Sequence, residues 1–437
     1  LARVDRVQHV RRWGLTVDED CGQHHLLGFG EFAAMYLFSW SPAPWSVPYF
    51  ADQLGGFSAA QEARVARRVL ANVPNYMMWD DHEISDDWPM TFNRRHMVWS
   101  SPCGAWLIAN GMAAAFVFQL QGNGLSRTDV IDALMPYLES GRHLPHEPDE
   151  AARDAHDAVT ARYAAAVVPL RDFGFVAPTV PPIVFLDTRT QRELHHDRDG
   201  HLDTAAYPNL LDSAALEGLR TAVHTSGRPA HAPLLVVSPP PVLGLSALED
   251  AQQLRWPQTI WWAEDPEAWS LDANGFVSFL TTIRSLTSSV VFFSGDVHYG
   301  FLAEGTLREE GHLDLQIVQL TSTALRNQAG GMERFGEHLA EGGGRQGFRR
   351  TDGGFEHVMD RMWETLSLGW RLRPASSLLG ALVYAENNCG VVRIEWTSTG
   401  EATVTQTLFG AGAGSAGPEV TATLAPPRTT PPPVGDD

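Results

Sequence analysis

Five carboxylates and one imidazole fall within Met78-Trp79-Asp80-Asp81-His82-Glu83-Ile84-Ser85-Asp86-Asp87-Trp88. Carboxylates this dense repel one another unless they are solvated, bonded to backbone amides or neutralised by cations. With a histidine among them they suit hard or borderline divalent or trivalent metals. A solvated acidic loop is the other reading, against which stand Trp79, Trp88 and the apolar residues before them. Asp86 and Asp87 can equally cap a helix or pair with Arg94 and Arg95.

A second constellation is Phe292-Phe293-Ser294-Gly295-Asp296-Val297-His298-Tyr299-Gly300. Asp296 and His298 follow an apolar run at a spacing of two, which in extended chain points both side chains the same way and lets them share a cation. Gly295 permits a sharp turn or close backbone approach. Taken alone, the pair could simply bond to backbone groups. The segment is not a Gly-x-Ser-x-Gly nucleophile elbow, so serine chemistry has little support.

Such residues need rigid elements to hold them. Residues 76–79 form a short apolar run that stops in the acidic segment, the pattern of a buried strand feeding a polar loop. Similar runs at 183–186, 234–237, 289–293 and 317–320 stop at Asp187, Ser238, Ser294 and Thr321. Helical patterns are expected over 26–40, 58–70, 104–120, 126–139, 148–167 and 274–288. Short buried strands alternating with helices give a layered α/β core, whose strand ends are where sites are built. Residues 381–385, 390–396 and 402–408 read as antiparallel strands, with Ser398-Thr399-Gly400 as a hairpin turn. The Gly-rich stretch 329–347 reads as a loop or lid, and 411–437 as a flexible tail after a domain spanning 1–410.

Composition supports a large core: 437 residues, 44% of them hydrophobic. With 52 acidic against 32 basic residues the net charge is −20, which gives no general attraction for nucleic acid or anionic membrane. No nucleic-acid-binding module or nucleotide P-loop is present. Cys21, Cys103 and Cys389 are far apart, without the spacing of a thiolate zinc knot, and buried apolar roles are expected for them. The apolar stretch 103–120 contains Asn110 and Gln119 and reads as a buried helix, not a membrane span. The first residues, with Arg3 and Arg6, lack the apolar core of a signal peptide. A soluble, cytoplasmic protein is expected, and export only if a leader precedes Leu1.

Trp-Asp-Asp-His-Glu, then Ser-Asp-Asp-Trp, and later Ser-Gly-Asp-Val-His-Tyr-Gly resemble the signatures of PhoD-like phosphatases, within the calcineurin-like metallophosphoesterase superfamily. Leu186-Asp187-Thr188-Arg189-Thr190-Gln191-Arg192, Gln319-Leu320-Thr321-Ser322 and residues 261–269 resemble segments of the same family. The likeness runs from about residue 25 to 410. It implies an αββα sandwich with helical insertions and C-terminal antiparallel strands, and two metal ions drawn from Fe, Ca, Mn or Zn. Asp81 would take the place of the metal-binding residue before the catalytic histidine, His82 that of this histidine, and Asp296 and His298 that of the terminal ligand pair. Asp80 and Glu83 would support the site, and Arg189 or Arg192 would clamp the phosphate of a small phosphate ester. The resemblance also calls for an upstream Gly-Asp-Gln-Ile-Tyr motif. None precedes Trp79; Ala51-Asp52-Gln53 lacks the Gly and the Tyr. The ligands on that motif are therefore expected on a stretch before Leu1. His231 is a poor substitute for a further histidine ligand, and the pairs His24-His25 and His195-His196 are expected at the surface.

The implied activity is hydrolysis of phosphate mono- or diesters by metal-activated water. Two other classes compete: a metal-stabilised binding protein with a degenerate site, and a metal-independent glycoside hydrolase using two carboxylates and some of the 14 tryptophans to stack sugars.

Overall fold

In the computed structural model the described residues are 25–53, 56–85, 88, 101–195, 207–244, 268–297, 299–322, 348–351, 354–363, 366–373, 384, 387–410 and 416–426. The chain divides into two units, Leu1–Phe173 and Gly174–Asp437, where the sequence pattern suggested one domain over 1–410.

The first unit is helical: α1 Phe29–Trp40, α2 Pro48–Gln53, α3 Gly56–Asn72, α4 Pro102–Ala115, α5 Thr128–His143 and α6 Glu150–Val167. Its spine is α4. Ser101 caps it by accepting the Gly104 N–H, and Pro102 occupies the first turn, where its missing N–H costs nothing. The helix continues through a π turn, Phe116–Leu120, and a 3-10 turn, Gln121–Asn123, and ends at Gly124, whose φ of 85° suits glycine. Leu107, Ile108, Met112, Phe116 and Leu120 are buried against Phe32 and Tyr36 of α1, Val130 and Leu134 of α5, and Tyr163 and Val167 of α6. Each such side chain contributes about 1.5–3 kcal/mol when fully buried. Pro102–Asn123 is long and apolar enough to cross a membrane, yet most of it is buried inside the unit, and it is the core helix expected.

Residues 76–79 do not form the strand expected of them; the chain from 74 to 80 is irregular. A strand needs a ladder partner, and here the backbone of Met77 is met by one side chain instead. Asn123 Oδ1 accepts the Met77 N–H at 3.0 Å while its Nδ2 donates to the Met77 carbonyl.

The second unit is built on a nine-stranded sheet: β1 Phe175–Ala177, β2 Ile183–Phe185, β3 Leu234–Val237, β4 Ser289–Ser294, β5 Phe301–Glu309, β6 Leu315–Thr321, β7 Phe348–Thr351, β8 Gly354–Trp363 and β9 Leu366–Arg373. The order is β1-β2-β3-β4-β6-β5-β9-β8-β7. β2, β3, β4 and β6 are mutually parallel and the other pairings antiparallel. Parallel neighbours need crossovers; α7, Ser213–Thr225, lies between β2 and β3 in the chain, and α8, Ala273–Leu286, between β3 and β4.

Strand alternation sorts the sheet's two faces. Leu234, Val236, Val290, Phe292, Ile317 and Phe301 share a core with Leu216, Leu219 and Val223 of α7 and Phe276, Phe279 and Ile283 of α8. Their neighbours Leu235, Val291, Val318, Leu320 and Leu302 point the other way, onto Ala402, Val404, Ala422 and Leu424. These last belong to a separate antiparallel sheet, β10 Asn388–Trp396, β11 Ala402–Gly410 and β12 Ala416–Leu424.

The fold is thus α/β, with a helix layer, a mixed sheet and a smaller sheet. The α/β class is as expected; the specific αββα sandwich is not confirmed by these layers. The hairpin at Ser398-Thr399-Gly400 forms as expected. The tail expected from 411 does not hold for Ala416–Leu424, which pairs along β11 as β12. Cys103 and Cys389 are exposed, not buried. Residues 261–267, 329–347, His24, His196, Cys21, Asp86, Asp87, Arg94 and Arg95 lie outside the described residues. Of 381–385 only Tyr384 is described, and it forms an isolated bridge with Gly300.

Candidate functional site

In the first unit the acidic segment folds into a turn. The Asp81 carbonyl accepts the N–H groups of Ile84 at 2.8 Å and Ser85 at 3.0 Å. The turn is anchored on three buried apolar side chains. Trp79 and Trp88 meet edge to face with centroids 5.7 Å apart, and Trp79 also packs against Phe173 at 4.5 Å. Ile84 lies where a Cβ on Gly111 of α4 would approach its Cγ1 to 2.9 Å, so only glycine lets the helix come this close.

This anchoring separates neighbouring residues by environment. Asp81 is buried at 2% exposure while the His82 side chain is 60% exposed, with its Nε2 3.9 Å from Asp81 Oδ2. Glu83 turns inward. Its Oε2 accepts the Asp80 N–H at 2.7 Å and its Oε1 accepts from Gln119 Nε2 at 2.9 Å. Burial holds its carboxyl above the usual carboxylate range, a rise that the Gln119 hydrogen bond partly opposes. The Gln119 amide also donates to the Tyr36 hydroxyl at 3.2 Å. Burial, and secondarily the nearby Glu83, push that hydroxyl far up.

In the second unit the parallel strands β3, β4 and β6 end side by side. The Gly295 N–H donates to the Pro239 carbonyl at 3.1 Å, and the Ser322 N–H to the Ser294 carbonyl at 3.1 Å. Carboxyl ends of parallel strands are the usual place for a site in such a sheet. Asp296 sits directly beyond β4 with φ of 60°, a left-handed conformation that Asp adopts more readily than most residues. Its Oδ2 accepts from Arg189 Nη2 at 2.9 Å, with the Arg189 side chain fully buried and that of Asp296 6% exposed.

Arg189 comes from the turn after β2. Asp187 organises that turn through Oδ1, which accepts the N–H groups of Arg189 at 3.1 Å and Thr190 at 2.8 Å, and through a short bond to the Thr190 hydroxyl. The carboxylate of Asp187 therefore binds the backbone of this turn, and the Arg189 guanidinium goes to Asp296. Arg192, also buried, donates from Nε to the Thr188 carbonyl at 2.8 Å. His298 lies outside the described residues. His195 is not a bare surface histidine: its Nε2 bonds to Asp272, which also caps α8 by accepting the Gly275 N–H at 3.0 Å.

The first turn thus gathers Asp80, Asp81, His82 and Glu83, and the second joins Arg189 to Asp296. Asn123 and Gln119 were not singled out as site residues in the sequence. Their signal is a pair of side-chain amides four apart at the end of a largely apolar helix. Comparison with protein-family models, curated proteins and solved structures found no match for this chain.

Proposed function

We propose that the protein is a metal-dependent hydrolase of phosphate esters. The observation that supports it is the same in each unit: an apolar segment ends in a buried carboxylate, Asp81 in the first and Asp296 in the second. Buried carboxylates remain ionised only where cations or hydrogen bonds compensate them, and Asp80 and Asp81 in the first unit and Asp296 in the second each offer the oxygen donors a metal ion takes. Such hard oxygen donors fit Mn, Ca, Fe or Zn. His298 would add a nitrogen ligand. The resemblance of both motifs to PhoD-like phosphatases supplies the reaction class.

When bound, cations there would supply Lewis-acid polarisation of the phosphoryl oxygens and a more acidic attacking water. The chain's own residues do the rest. His82, outward on a turn fixed by Trp79, Trp88 and Ile84, contacts the phosphate and gives a proton to the departing ester oxygen. Glu83 keeps that turn in shape through the Asp80 N–H. Arg189 balances the charge of Asp296 and fixes one of its oxygens. The substrate is a small phosphate ester.

Metal content by plasma mass spectrometry and turnover of an aryl phosphate test the reading together. His82→Ala is expected to lower turnover while retaining the metal. Glycosidase activity that survives chelation would favour the carboxylate-pair alternative. Bound metal without phosphatase activity would favour a binding protein.

A further inference from the structure

The tail of the core helix carries two amides, Gln119 and Asn123, that reach the acidic segment and the Met77 before it. Gln119 lies in the π turn Phe116–Leu120 and is buried at 9% exposure. A wide i→i+5 turn shifts the register of the residues after it, and such turns recur where a side chain must be re-aimed for a task. Both hydrogens of the Gln119 amide are committed, one to Glu83 Oε1 at 2.9 Å and one to the Tyr36 hydroxyl at 3.2 Å. Phe118 of the same turn stacks on the Tyr36 ring with centroids 5.0 Å apart, fixing the acceptor as well as the donor. Four residues on, Asn123 takes hold of Met77 by both its N–H and its carbonyl. With Asn123 on Met77 and Gln119 on Glu83, the chain is held on either side of Trp79-Asp80-Asp81.

We propose that Gln119 and Asn123 form a two-point clamp and are positioning residues for the turn that carries Asp81 and His82. The Gln119 arm acts through Glu83, whose second oxygen accepts the Asp80 N–H at 2.7 Å, so one carboxylate joins the helix to the backbone beside the buried Asp81. The Asn123 arm pairs both backbone groups of Met77. The catalytic consequence rests on the phosphoesterase reading above; the clamp itself does not.

Hydrogen exchange of the full chain, followed at the amides of 77–85, tests it. In Gln119→Met the Asp80 amide is expected to exchange about tenfold faster with exchange in α6 unchanged, since one anchoring hydrogen bond is lost. Gln119→Glu, which sets two carboxylates against each other, should do the same. Glu83→Gln combined with Gln119→Glu exchanges donor and acceptor and should restore protection at Asp80. Should that double variant not fold, Asn123→Leu decides on the other arm, with faster exchange expected at Met77 alone. Unchanged Asp80 exchange in Gln119→Met, or acceleration spread evenly over the first unit, overturns the clamp. For aryl phosphate, Gln119→Met is expected to lower kcat about 10–100-fold with KM within about twofold, as for a misplaced catalytic group, and the double variant to recover it. An unaltered chain that binds no metal and turns over no aryl phosphate removes the phosphoesterase reading, while the exchange data still decide the clamp.

Discussion

Arg189 Nη2 donates to Asp296 Oδ2 at 2.9 Å, and neither side chain is open to solvent. The arginine expected to grip substrate is thus engaged by a carboxylate expected to ligate metal. Replacing one partner of a buried pair leaves the other charge uncompensated, at a cost of about 3–5 kcal/mol. Arg189→Met should therefore lower the urea midpoint strongly, and Arg189→Lys should recover only part of it, because an ammonium lacks the guanidinium's fork. Combining Arg189→Met with Asp296→Asn should cost less than the two singly. A phosphate clamp predicts the opposite pattern, a raised KM at unchanged stability.

Gly111 and Ile84 give a second prediction. Alanine is favoured over glycine within a helix by about 1 kcal/mol, so Gly111→Ala would stabilise an isolated α4. Here its methyl would lie 2.9 Å from Ile84 Cγ1. Overpacking of this kind costs about 1–3 kcal/mol, which outweighs the propensity gain. The expected result is net destabilisation by chemical denaturation, with displacement of the Asp81–Ser85 turn. Adding Ile84→Ala, which removes the clashing atom, should make the alanine at 111 neutral or favourable.

What was legible in the sequence depended on how each segment hides its backbone. β3 and β4 are continuous apolar runs because both faces of the sheet are covered, and the sequence places both within a residue of their observed ends. β12 was missed since its inward positions Ala422 and Leu424 alternate with Thr421 and Thr423 inside a stretch rich in Gly, Ala, Thr and Pro. Residues 76–79 have the composition of a strand, but the backbone of Met77 is met by the Asn123 side chain, a choice that local sequence does not encode. At the site, residue types announced Asp81, His82 and Asp296. The roles of Gln119 and Asn123 depend on a helix register set by a π turn, and the pairing of Arg189 with Asp296 on strands more than a hundred residues apart in sequence.

Arg127 and Asp129 yield a pH prediction. Asp129 is held below the ordinary carboxylate range, first by the Arg127 hydrogen bond, against a smaller opposing effect of burial. A depressed folded pKa contributes stability that is present above the unfolded value of 3.8 and lost as pH falls through the folded one. The Asp129 side chain is about half exposed, so solvent and salt screening keep this to a few tenths of a kcal/mol. Arg127 does more: Nη1 donates to the Arg171 carbonyl at 2.7 Å, and the guanidinium lies 4.5 Å from the centroid of Phe173. Arg127→Ala should therefore cost about 1–3 kcal/mol at neutral pH, whereas Asp129→Asn should change little there and flatten only the acid limb below pH 3.8.

Metal and stability should be linked in opposite senses at Asp81. In the metal-free chain its buried carboxylate, beside Asp80, is a cost of burial and like-charge repulsion. Asp81→Asn keeps the shape and removes the charge, so the metal-free variant should melt higher than the metal-free parent. With metal the order should reverse. A cation that binds only the folded chain stabilises by RT ln(1 + [L]/Kd), about 2.7 kcal/mol at a hundredfold excess over Kd. The variant, missing one ligand, should forfeit most of that. Melting curves of both proteins with chelator and with Mn2+ or Zn2+ read the crossing directly. Parallel curves, in which metal shifts parent and variant equally, would remove Asp81 from the ligand set.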